Sequence, residues 1–179
     1  MARWTHVIAT TPALDSTWKG ATCIECQADD RAIAVSGPHF VAVVEFNAGE
    51  LGSLPAEREG TVDATVRYLG MPASRFGPHC RILQVRWHPL EPSVLTVLTV
   101  ESLLFFSPLD ITGDGEGRQL APVGEYRFDR SRFQGSSCLA DFSFGAGRGW
   151  EQMAVYFALT DGSVFVTCPL LPPGAAVTT

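Results

Sequence analysis

The first stretch whose residue types and spacing could do chemistry is Cys23-Ile24-Glu25-Cys26. Two thiols three positions apart can hold half of a structural zinc site or form a redox pair, but zinc needs a second pair of ligands at regular spacing. Cys80, Cys138 and Cys168 are scattered and His79 adjoins only one of them, so the thiols read as small side chains buried on strands. His88, between Trp87 and Pro89, could serve as a general base if a carboxylate or nucleophile stood beside it. Glu91 is the one close acidic residue, and a turn histidine capping backbone amides is the better reading; His6, His39 and His79 sit in no motif. The run Gly113-Asp114-Gly115-Glu116-Gly117 has the glycines of a phosphate loop without the Lys-Ser/Thr and helix that make one work, and its two carboxylates would repel phosphate. Calcium from Asp110, Asp114 and Glu116 fails on spacing. No catalytic, cofactor-binding or metal residue is assigned, no cofactor is expected, and the protein-binding residues stay unknown.

The elements that would position these residues are strands. Short apolar runs with period-two alternation, each bounded by turn residues, predict strands at Ala32 to Val35, Phe40 to Phe46, Val62 to Leu69 and Arg81 to Trp87. Further strands are predicted at Val94 to Thr99, Ser102 to Ser107, Glu125 to Phe128, Cys138 to Phe144, Ala154 to Leu159 and Ser163 to Cys168. On the fourth of these, Ile82 or Leu83 shares a face with Val85 and Trp87. The prolines of His88-Pro89-Leu90-Glu91-Pro92 force a turn, because neither can donate to a ladder. Val100-Glu101 joins two runs so closely that a tight hairpin follows, and Thr160-Asp161-Gly162 is a second hairpin signal. Asn47 to Gly60, Thr112 to Gly117 and Ser131 to Ser137 read as polar loops, and no amphipathic helix stands out.

Composition bounds the function. Of 179 residues, 46% are hydrophobic and 18% charged, enough apolar surface for a folded core. The net charge of −6, with no basic stripe, speaks against direct nucleic-acid binding and against an anionic membrane surface. The longest apolar run, Ser93 to Phe106, is too short and too interrupted to span a bilayer. Five cysteines, an odd number, fit free thiols, and a start without a secretory signal points to an intracellular, reducing location. Strand, turn, strand units at short intervals suit a sandwich, a barrel or propeller blades of about 40–45 residues each. At that size the length supplies about four blades with short loops and about three with the loops seen here.

Leu83-Gln84-Val85-Arg86-Trp87-His88-Pro89, then Val94 to Thr99 and Leu103 to Leu109, resembles one blade of a WD40-like β-propeller. With Leu139 to Gly145, Trp150 to Leu159 and Thr160 to Pro172, the pattern resembles the N-terminal propeller of the cytoplasmic-face nucleoporins named for eighty-eight kilodaltons in animals and plants and eighty-two in fungi. The match covers roughly Arg81 to Pro173. Where that family commonly has an Asp-containing turn, this chain has Val100-Glu101-Ser102, which leaves the tightness of that hairpin open.

The fold class expected is therefore all-β, an incomplete set of propeller blades over residues 1–173 with 174–179 as an exit linker. The resemblance implies a non-enzymatic scaffold of the nuclear pore complex, at its cytoplasmic face in the nuclear envelope. There it would hold other nucleoporins and support mRNA export and protein transport. A WD-type adaptor of another intracellular complex is the alternative. The Phe-Gly pair Phe144-Gly145 lies in a β-rich segment and reads as packing rather than as a transport repeat; Trp87, Trp150, Phe105 and Phe106 read as core, and Asp141 as a turn cap.

Overall fold

In the computed structural model of the chain, residues 7–9, 20–29, 31–46, 60–62, 64–71, 80–109, 119–129, 137–146 and 149–175 are described. His6, His79, the 113–117 glycine run, Asp110, and most of the loops expected at 47–60 and 131–137 lie outside them. β-branched and aromatic residues fit a pleated surface, and the described residues carry thirteen short strands. In chain order β1 (Val7–Ala9), β2 (Cys23–Cys26), β3 (Ala32–Gly37), β4 (Phe40–Phe46), β5 (Gly60–Val62) and β6 (Ala64–Tyr68) come first. β1 pairs in parallel with β5, while β2-β3-β4-β6 make a four-stranded antiparallel sheet. β7 (Ile82–Trp87), β8 (Leu95–Thr99), β9 (Ser102–Phe106) and β10 (Gly124–Arg127) make a second four-stranded sheet, and β11 (Leu139–Phe144), β12 (Val155–Leu159) and β13 (Val164–Thr167) a third of three strands. The second and third sheets are meanders of sequence neighbours, and the first is one except that β5, which belongs to the two-stranded sheet, lies between β4 and β6; this is the blade pattern of a propeller, and the all-β reading of the sequence holds.

The core lies in two layers between blades. Ala32, Ala34, Val41 and Val43 of the first blade pack against Val85, Trp87, Leu95, Val97, Leu104 and Phe106 of the second. Leu98, Leu103 and Phe105 leave the other face of the second blade and meet Leu139, Phe142, Val155 and Phe157 of the third. Every residue of β8 and β9 is buried. A strand covered on both faces loses its polar alternation, which is why Ser93 to Phe106 is the longest apolar run of the chain. At about 25 cal/mol per Å² of apolar surface removed from water, these two layers are the main favourable term.

A bulge settles which residues of β7 share a face. The pairing with β8 shifts between Ile82 and Gln84, so Leu83 is extra and Ile82 joins Val85 and Trp87 in the first layer, while Leu83 packs into the second. The same shift occurs in β11 between Leu139 and Asp141. In both strands a side chain just past the extra residue accepts the next backbone amide, Gln84 Oε1 from Val85 N at 3.1 Å and Asp141 Oδ1 from Phe142 N at 2.7 Å. Asp141 is thus a bulge acceptor within its strand, in place of the turn cap expected from the sequence.

The β8–β9 hairpin is tight. Thr99 Oγ1 donates to Ser102 O at 2.9 Å and accepts from Ser102 N at 2.9 Å and Glu101 N at 3.2 Å, so the threonine hydroxyl organises the Val100-Glu101 turn. Other expectations are revised. The stretch read as one strand from Val62 to Leu69 is divided between β5 and β6, in different sheets. The segment from Trp150 begins as a 3₁₀ turn, Gly149–Met153, and only Val155–Leu159 is strand. Cys23–Cys26, read for its thiols, is an edge strand of the first blade.

Two substitutions test the layers. Phe157 is fully buried and stacks on Phe165, with ring centroids 4.9 Å apart. Phe157→Ala is expected to cost about 3–5 kcal/mol in urea unfolding. Thr99→Val keeps the shape and strands two amides and a carbonyl, for an expected loss of about 1–3 kcal/mol by the same measurement.

Candidate protein-interaction surface

Some of the residues with reactive chemistry hold blades or loops in place. In β2 successive side chains alternate, so Cys23 and Cys26 fall on opposite faces. Cys23 Sγ donates to Gln84 Oε1 of the second blade at 3.2 Å, and burial, then the Glu25 carboxylate, push its thiol up from the ordinary value; Cys26 is exposed. Alternation sets these two thiols apart instead of converging them on one ion. Cys80 is buried, and its thiol is likewise pushed up by burial first. Cys138 and Cys168 are exposed, against the expectation that all the thiols are buried.

His88 is the backbone cap that the sequence suggested. Its Nδ1 accepts from the amides of Leu90 and Glu91, each at 3.3 Å, and its own amide donates to Val94 O at 2.8 Å. Two donors on Nδ1 place the ring proton on Nε2, which is buried without a hydrogen-bond partner among the described residues, and the Phe144 ring stands edge-on with centroids 4.7 Å apart. Burial holds the imidazole down at about 4. A histidine 2% exposed and turned into its own loop cannot meet a substrate.

Polar groups bridge the blades at both layers. Trp87 Nε1 donates to Glu25 O at 3.2 Å and Gln27 Nε2 to Pro92 O at 2.7 Å, tying the second blade to the first. Arg86 Nε donates to Phe142 O at 2.9 Å, and its guanidinium lies 5.9 Å from the Phe142 ring centroid and 3.6 Å from Asp141 Oδ1, tying the second to the third. The Phe-Gly pair is locked in place as well. Gly145 N donates to Ala154 O at 2.9 Å, and a Cβ on Gly145 would overlap the Glu151 carbonyl.

Exposed apolar surface collects on the third blade. Val164 and Val166 of β13 are 65% and 50% exposed, and Trp150, expected in the core, is 57% exposed on its 3₁₀ turn. Sequence reasoning missed this edge, although Val164-Phe165-Val166-Thr167 carries no charge, the one signal that could have marked it. Beside it runs a groove of about 680 Å³ between β13 and β10, lined in part by Tyr126, Phe128, Asp161 and Phe165. At its end the hydroxyls of Ser137 and Ser163 and the amide of Ser163 donate to Asp161, holding that carboxyl down at about 2.

No family model matches the chain. Over 99 residues the chain is 34% identical to nuclear pore complex protein NUP88 of Arabidopsis thaliana, a stretch that takes in 52% of this chain and only 12% of that protein. Among solved structures, a chain of the Chaetomium thermophilum heterotrimeric Nup82 NTD–Nup159 TAIL–Nup145N APD complex superposes with a TM-score of 0.61 at 19% identity, covering 85% of this chain and 32% of that one. Identity that low speaks for the fold alone. The two likenesses agree with the resemblance carried by the blade motifs: the chain is similar in sequence to the eighty-eight-kilodalton nucleoporin and in fold to a chain of the fungal Nup82 N-terminal-domain complex.

The His88 cap makes stability depend on acidity. In the unfolded chain the imidazole protonates around its ordinary 6.5, and in the folded chain only around 4. Its contribution is therefore complete above 6.5 and is lost as pH falls from 6.5 to 4, by about 3 kcal/mol in all. Urea unfolding at pH 7 and pH 4.5 should show the wild type losing more stability than His88→Asn by most of that amount.

Proposed function

We propose that the chain is a structural module of the nuclear pore complex, a set of propeller blades that holds other nucleoporins and performs no catalysis. The observation that carries this reading is the 34% identity to NUP88 over 99 residues, joined to a shared fold with a chain of the Nup82 complex. The use of His88, Arg86, Cys23 and Trp87 as structural bonds supports it, since each is committed to a loop or to a neighbouring blade. The blade region is residues 1–173, with 174–179 leading out of it. Its place is the cytoplasmic face of the pore at the nuclear envelope, where holding partners in position supports mRNA export and nucleocytoplasmic protein transport. The fungal neighbour was solved together with Nup159 and Nup145N segments, which supports nucleoporins as the partners. An acidic chain of net charge −6 without a basic face fits protein partners better than RNA. The same identity to NUP88 favours the pore over a WD-type adaptor in another complex.

A fluorescent fusion of the full chain should decorate the nuclear rim, and its affinity purification should enrich nucleoporins over an unrelated β-propeller control. A diffuse signal, with an adaptor complex such as a ubiquitin ligase enriched instead, overturns the reading.

A further inference from the structure

We draw no further inference here: the strongest candidate, the apolar surface patch of Leu90 and Trp150 on the loops that follow β7 and β11, is exposed, and nothing in the structure shows what covers it.

Discussion

The second blade is buried on both faces, and the rest of the structure answers to that. Every residue of β8 and β9 is buried, so each strand depends on a sheet packed on either side. Dispersion and the hydrophobic term are non-directional and would tolerate sliding between such faces. Directional groups remove that freedom. Trp87 and Gln27 pin one neighbour to the second blade, and Arg86 pins the other through a backbone carbonyl, a ring face and a carboxylate. These polar side chains are thereby committed to position.

How much of this could be read from the sequence depends on whether the signal was local. β7 announces itself by the alternation that Gln84 and Arg86 give it, and β8 and β9 by a nearly unbroken apolar run. The Thr160-Asp161-Gly162 hairpin follows from Gly162, whose φ of 85° suits a residue without a Cβ. β2 was hidden because Cys23-Ile24-Glu25-Cys26 invites a chemical reading and is too short for alternation to register. Trp150 was misplaced because aromatic size argues for burial while its position on a 3₁₀ turn decides exposure. The β13 edge left one trace in the sequence, the absence of charge from Val164 to Thr167. A strand's own residues do not say whether a neighbour follows, and the groove needs β10, which is remote in sequence, to form its wall.

The similarity to NUP88 and to the Nup82 complex gains a physical content from the blade interfaces. The tight β8–β9 hairpin is closed by Thr99, whose hydroxyl both donates and accepts. The turn is the constrained quantity, and more than one side chain can satisfy it. His88 does the same on the β7–β8 loop, its ring nitrogen accepting from the amides of Leu90 and Glu91.

The bulges in β7 and β11 carry a last consequence. Ahead of Gln84 and Asp141 the strand holds one residue more than its partner needs, and the side-chain acceptor behind it resets the phase. Loss of Leu83 or Ala140 would leave inward and outward positions downstream unchanged, whereas a deletion anywhere else in either strand would turn Val85 and Trp87, or Phe142 and Phe144, to the wrong side. The second and third blades therefore carry a slack point at their entrance, where the connecting chain can lengthen or shorten over generations without the error reaching the interior.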